Sequence, residues 1–383
     1  MRILFLCSSL EKEKDGIGDY TRKIAESVEK RGQQVLLISF NDKHINGIIR
    51  EEGKIPVIRI PMLLTWKQKE ESISSFIEEF NPDWISIQFV IYGIQSKGII
   101  FRSISFFKAI AKGHKVQIMF HELWIAEEKG ATIKNKLVGK IQKAAVLRFI
   151  KVVKPLVVHT SIALYCIILL RNKINASILP LFSNIPIVRN SNTEWIWEII
   201  NRQTRIKINP INRDDFLIGG VFGSLYYSSW DLSSLAAQLQ REQEKNKKRI
   251  IICSFGKLGE TLKYWNELKS IYKSFIFIIL GPQPEDRISG CLQVIDFGII
   301  TTPAVIVGKS GSYMAMKEHG VMTLGKKSDV SFNYPINHSN LIDPYLRQVG
   351  EEVIDFKKKS TERLYSSQLE ITTHTFLNDL KTA

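Results

Sequence analysis

His121 and Glu122 directly follow an apolar run, KVQIMF at 115–120, that reads as a buried strand. A histidine at a strand's carboxyl end can hydrogen-bond a sugar hydroxyl or share a proton. The carboxylate beside it can orient the ring or cap the next element. The plain alternative is a satisfied structural histidine. Asp19, on the first turn of a helix that opens around Gly16 and Gly18, can reach the same end of the sheet, while Tyr20 fits that helix's apolar stripe. The glycine pair lets a phosphate or sugar approach the backbone, or simply makes a turn. A nicotinamide-cofactor fingerprint is not met: the third glycine is missing, and no acidic residue ends the second strand, which is followed by Phe40-Asn41-Asp42.

A second constellation lies in GIITTPAVIVGKSGSYMAMKEHG, residues 298–320. Gly308-Lys309-Ser310-Gly311 opens a helix, where free backbone N–H groups and the positive dipole end favour an anion. Lys309 adds a full charge and Ser310 a hydroxyl that can cap the helix or donate. The spacing of a Walker loop is absent, because Pro303 stands five residues before Gly308. Gly223-Ser224, after the apolar run FLIGGVF, would supply a further turn facing the same ligand.

Elements that alternate between strand and helix must position these groups. Strands are expected at 2–8, 34–40, 57–60, 84–90, 115–120 and 156–160, with helices at 16–31, 69–80, 96–112, 132–154 and 162–171 between them. ILPLFSNIP at 178–186 is expected as the exit from this half. The alternation restarts with strands at 216–224, 249–255, 275–280, 293–298 and 321–325, and helices at 231–247, 258–273, after Gly311 and within 361–380. The expected organisation is a first Rossmann-like domain over 1–186, a linker over 187–213 and a second domain over 214–360. A C-terminal helix within 361–383 can cross back to the first domain.

The chain has 383 residues, 24% of them charged, which fits a two-domain globular protein and excludes a disordered one. Four scattered cysteines, with no CxxC and no Cys/His cluster, give neither a disulfide framework nor a metal site. A reducing, cytoplasmic location is the expectation. The N-terminal run is too short for a signal-peptide core, and no apolar run is long enough to span a membrane. The net charge of +15 calls for a negative partner. No nucleic-acid-binding signature accompanies it. From Ala131 through Val158 there is no acidic residue, while Lys136, Lys140, Lys143 and Arg148 interleave with Ile133, Leu137 and Ile141 at helical spacing. Such a helix can lie on an anionic membrane, or be half-buried with a solvated basic face.

Together these motifs resemble the GT-B glycosyltransferases, especially the bacterial sugar-nucleotide-dependent enzymes of cell-surface polysaccharide and lipopolysaccharide assembly. MRILFLCSSLEKEKDGIGDYTRKIAESVEKRGQQVLLIS is similar to that group's opening. HELW at 121–124 resembles its His-Asp/Glu element, LPLFSNIP its first-domain exit, and GIITTPAVIVGKSGSYMAMKEHGV its donor-binding strand–turn–helix. The resemblance covers nearly the whole chain. It implies two doubly wound Rossmann-like domains facing each other across a cleft, the first for the acceptor and the second for the nucleotide sugar. It further implies that Gly16 and Gly18 approach the donor phosphates, His121 the donor sugar, and Lys309, Ser310 and Gly311 the diphosphate; Gly223, Ser224 and Glu318 are further donor-binding candidates, and His121, Asp19 and Glu122 are the catalytic candidates. No metal or cofactor is implied beyond a UDP- or GDP-sugar donor, with a glycan or lipid-linked acceptor and an anionic membrane surface as partners. The paired glutamates of retaining members are absent: Val307 and Ala315 stand in their places, and Ser310 is eight residues before Glu318. The Arg/Lys pair usual after the first strand of the second domain is missing too. Retention or inversion is therefore left open. A lapsed member serving as a glycan-binding or assembly component, and a nucleotide-sugar epimerase of the same fold, are the other readings.

Overall fold

The computed structural model describes residues 1–189, 191–204, 206–208, 212–225, 232–327, 330–332, 334–337, 341–350, 354, 356 and 365–383. These form two compact units. The first comprises Met1–Leu181, Val330–Ile336 and Leu369–Ala383, and the second Phe182–Asp329 and Asn337–Gln368.

In the first unit the order is β1 (Arg2–Cys7), α1 (Gly16–Lys30), β2 (Gln34–Asp42), β3 (Ile49–Glu51), β4 (Val57–Pro61), α2 (Trp66–Phe80) and β5 (Trp84–Phe89). α3 (Ile91–Ile94), α4 (Ile104–Ala111), β6 (Lys115–Phe120), α5 (Ile133–Val153), β7 (Val157–Thr160), α6 (Ala163–Leu170) and β8 (Ser177–Ile178) come next. The sheet runs β3-β4-β2-β1-β5-β6-β7-β8, parallel except where β3 meets β4. Its central strands are buried on both faces, as parallel strands covered by helices must be, and so they read as mostly apolar runs. α1 buries Tyr20, Ile24, Ala25 and Val28 against the sheet, and α2 starts on a Thr65–Gln68 capping box. The expected helix over 96–112 is shorter, because Gly98 takes a positive φ of 68° and Phe101–Ser103 is a 3-10 turn leading into α4. Of the 178–186 run only Ile178 is in a strand, as the second residue of β8.

The second unit begins with α7 (Glu194–Thr204), which lies on β11. β9 (Phe216–Phe222), α8 (Ser233–Asn246), β10 (Arg249–Phe255), α9 (Leu262–Ile271) and β11 (Ile276–Gly281) come after it. α10 (Glu285–Val294), β12 (Phe297–Ile300), α11 (Gly311–Glu318), β13 (Met322–Lys326) and β14 (Leu346–Val349) complete it. The sheet order is β11-β10-β9-β12-β13-β14, parallel throughout. The strand expected at 293–298 starts four residues later, at Phe297, because α10 runs to Val294. Parts of the expected helices at 231–247 and 361–380, and of 187–213, fall outside the described residues.

The last helix, α12 (Gln368–Thr382), is docked on the first unit. Phe376 stacks on Phe5 at 5.5 Å, and Thr372 Oγ1 donates to Pro180 O. Thr373 Oγ1 donates to Ser27 Oγ, and Arg31 pairs with Glu370.

Each sheet reverses its winding once. In the first unit the chain moves outward from β1 through β2 and β4, then returns to β5 on the other side of β1. In the second it moves outward from β9 through β10 and β11, then returns to β12. Loops leaving the strands at such a switch point splay apart and leave a crevice, the usual place for a ligand in an open α/β sheet.

Candidate active site

In the second unit the switch point lies between β9 and β12, and the loops leaving these strands carry Gly223-Ser224 and Gly308–Gly311. After β12 a 3-10 turn over Ala304–Lys309 brings the chain to Ser310, the N-cap of α11. Ser310 Oγ accepts from Tyr313 N at 3.2 Å, which leaves its own hydroxyl proton to be donated. Among the described residues no acceptor takes the N–H of Gly311 or Ser312. Gly223 takes a φ of +81°, a conformation that strains any L side chain, and its N–H bonds Phe255 O at 2.8 Å. A Cβ on it would lie 3.4 Å from Ser312 Oγ, so the β9 exit borders the first turn of α11. Ser224 and Gly311 are exposed, and Lys309 and Ser310 half-buried. Two amides and a hydroxyl thus meet at one end of a neutral-capped helix, with Lys309 one residue before the cap, an arrangement that can hold an anion at the crevice.

Glu318 does not join that cradle. It ends α11, roughly 12 Å along an eight-residue helix from the cap. It is buried, and its Oε1 accepts from Ser183 N at 2.6 Å while its carbonyl accepts from Ser366 N. His319 beside it is fully buried between Ser289 Oγ at Nε2 and Ala315 O at Nδ1, joining α11 to α10. Val307 and Ala315, where retaining relatives of the resemblance carry glutamates, are core residues.

In the first unit the N-terminus of α1 is built differently. Asp15 is its N-cap, and one carboxylate oxygen accepts from Ile17 N at 2.9 Å and Gly18 N at 3.2 Å. A negative cap already uses the donors and the dipole that an anion would need there. A Cβ on Gly18 would meet Ser9 O at 2.7 Å, so this glycine is required by the loop crossing over the helix, whereas Gly16 has open space. Gly18→Ala should therefore cost about 1–3 kcal/mol of stability in a denaturant melt, and Gly16→Ala well under 1 kcal/mol. Equal losses would show that the loop yields.

The sheet brings His121 and α1 together. His121 N bonds Phe89 O, its Nε2 lies 2.9 Å from Gln88 Oε1, and its ring meets Tyr20 edge-on at 4.9 Å. The ring is only 2% exposed, so it is not a surface group. Asp19, next to Tyr20, accepts from Glu13 N at 3.1 Å. Burial, with Asp15 and Glu13 adding repulsion, raises its carboxyl above the usual range despite that bond. Glu122 Oε2 is buried with no hydrogen-bond partner among the described residues. Trp124 Nε1 donates to Glu127, which also pairs with Lys143 at 3.9 Å.

Two expectations change. The second strand does end on an acid, since β2 extends to Asp42, but that carboxylate is no ribose ligand. It is fully buried and holds Arg59 Nε at 2.8 Å, His44 N at 3.0 Å and Leu10 N at 3.3 Å. Burial works to raise its pKa, and these donors outweigh it and lower it. The basic helix also differs from the simple two-faced pattern. α5 buries Ala145, Val146, Phe149, Ile150 and Val153, and turns a second apolar ridge outward: Ile133 is 88% and Leu137 62% exposed, with Ile141 beside them. Lys136, Lys140 and Arg148 are exposed around that ridge, whereas Lys143 is half-buried over the Trp124 ring. Free cysteines contribute no nucleophile: Cys7 and Cys291 are buried and their thiols raised by desolvation, and Cys253 is pushed up to about 12.

The whole chain aligns with solved glycosyltransferase structures. Anabaena HepE in complex with UDP and glucose matches over 100% of both chains at 13% identity and a TM-score of 0.54. The lipopolysaccharide outer core galactosyltransferase WaaB matches over 100% of this chain and 99% of its own, again at 13% and 0.54. The chain has the GT-B fold. An Escherichia coli trehalose-6-phosphate structure carrying UDP-2-fluoro-glucose shares that GT-B fold at 9% identity, a TM-score of 0.55 and 99% of its chain. No protein-family model and no curated sequence matches the chain. Among its described residues no helix is long and apolar enough to cross a membrane.

Proposed function

We propose that this GT-B chain is a glycosyltransferase that moves a sugar from a nucleotide-sugar donor to a hydroxyl of a glycan or lipid-linked acceptor in cell-surface polysaccharide assembly. The observation that carries the reading is the cradle at the second unit's switch point, with the N–H groups of Gly311 and Ser312, the Ser310 hydroxyl and Lys309. A leaving nucleoside diphosphate gains charge as the glycosidic bond breaks, and fixed donors aimed at it stabilise the transition state with no metal in the step. UDP- or GDP-sugar is the donor class. Gly223, Ser224 and Gly16 let the donor approach the backbone, and His121 contacts the donor sugar. Asp19, whose raised pKa makes its carboxylate a stronger base, takes the proton of the acceptor hydroxyl, and Glu122 orients the His121 ring. Release of nucleoside diphosphate from a panel of nucleotide sugars, with and without acceptor extract, tests this. Release that the extract stimulates supports transfer. Donor isomerisation without acceptor would mean an epimerase. Neither turnover nor a nucleotide-induced thermal shift would overturn the reading and favour a lapsed glycan-binding protein, to which the apolar Val307 and Ala315 also point.

The protein works at the cytoplasmic face of an anionic membrane. The outward ridge of Ile133, Leu137 and Ile141 with Lys136, Lys140 and Arg148 supports this. Each basic residue near such a surface contributes about 1 kcal/mol. Reversing Lys136 and Lys140 to Glu should release the protein from phosphatidylserine liposomes at low salt. Wild-type protein that never sediments with them would defeat the membrane reading.

A further inference from the structure

A line of buried polar side chains crosses the first unit's sheet, among strands that otherwise bury mostly apolar groups. His121, Gln88, Ser86, Gln117 and His159 are each 2% exposed or less. Their contacts are continuous. His121 Nε2 lies 2.9 Å from Gln88 Oε1, Gln88 Nε2 2.8 Å from Ser86 Oγ, and Ser86 Oγ 2.6 Å from Gln117 Oε1. Gln117 Nε2 lies 3.0 Å from His159 Nδ1, and His159 Nε2 2.8 Å from Asp379 Oδ2 on α12.

With His159 neutral, the carboxylate at the far end fixes every direction. Asp379 only accepts, so His159 Nε2 carries a proton and its Nδ1 accepts from the Gln117 amide. The Gln117 oxygen then takes the Ser86 hydroxyl, whose lone pairs take the Gln88 amide, and the Gln88 oxygen takes a proton from His121 Nε2. Every link in the chain is satisfied in this one sense. Burial lowers the pKa of His159 more than Asp379 raises it, so the ring stays neutral and its Nδ1 can accept.

We propose that Asp379 is a positioning residue for His121: through His159, Gln117, Ser86 and Gln88 it holds the His121 ring as the Nε2–H tautomer, with Nδ1 as its acceptor. The proposal rests on the reading of His121 as a donor-sugar contact, for which Nδ1 accepts a sugar hydroxyl. Docking of α12 does not depend on this link, because Thr372, Thr373, Phe376 and Glu370 hold the helix elsewhere.

Protein labelled with ¹⁵N-histidine tests the chain without substrate. In wild type, long-range ¹H–¹⁵N spectra at pH 7.5 should show His121 and His159 each with a protonated Nε2 and a bare Nδ1. His121→Gln and His159→Gln assign the signals. Asp379→Leu at one end and Ser86→Ala in the middle should each move the His121 nitrogens toward averaged tautomer shifts. The same variants should lower kcat at least about tenfold with KM within twofold. A wild-type His121 carrying its proton on Nδ1 would overturn the proposal, as would an unchanged His121 signal in both folded variants. Absence of wild-type turnover would defeat the glycosyl-transfer reading alone, since the spectra decide the tautomer independently.

Discussion

Lys309→Ala should weaken binding of a nucleoside diphosphate roughly 10- to 100-fold in calorimetric titration, with the melting temperature unchanged. The size comes from a charge-assisted hydrogen bond of about 1.5–3 kcal/mol. Stability should be spared because the cap of α11 belongs to Ser310, and the helix is held by the buried Tyr313, Met314, Ala315 and Met316. The loss should shrink as salt rises, since part of it is screened Coulomb attraction. An unchanged dissociation constant would show that the lysine serves the fold alone, and the cradle would then consist of amides only.

Asp19→Asn should separate activity from stability. As the proton acceptor for the nucleophile, Asp19 should contribute about 10²–10⁴-fold to kcat, and its amide cannot replace it. The same change should raise the melting temperature at neutral pH. Asp19 is held above its ordinary pKa, so the fold disfavours its ionised form. A raised carboxyl's contribution is fully present below the unfolded value of about 3.8 and is lost as pH rises through the folded value. The variant's advantage should therefore be smallest in acid and complete above the folded pKa. Asparagine keeps an oxygen for Glu13 N, so the loop's hydrogen bond survives. A variant that keeps its rate would remove Asp19 from the chemistry. One that is less stable at pH 7 than wild type would contradict the direction of its titration.

The two parallel sheets are legible in the sequence because strands buried on both faces are mostly apolar runs. KVQIMF and RIIICSF coincide with β6 and β10 to the residue. Elements without a periodic signal are not. In α10 the buried positions are Ile288, Ser289, Gly290, Cys291 and Leu292, a run with no clear stripe, and its Val294 reads as part of the next strand. β3 and β14, three and four residues long, carry too little pattern to see. At the site, glycines and helix starts are visible, but their chemistry depends on caps. Asp15 and Ser310 stand at equivalent places before two helices, and only the charge on the first uses up its amides. Asp42 gives no signal because its partner, Arg59, lies on another strand. The polar line from His121 to Asp379 joins residues more than 200 positions apart in sequence, and only the sheet register and the docking of α12 bring them into contact.

A crystal structure of the protein soaked with UDP or GDP tests the central claim most directly. The account predicts the diphosphate at the first turn of α11, its oxygens within about 3 Å of Gly311 N and Ser312 N and in reach of Lys309 Nζ. A diphosphate bound at the N-terminus of α1, or an empty α11 cradle at saturating nucleotide, would contradict it.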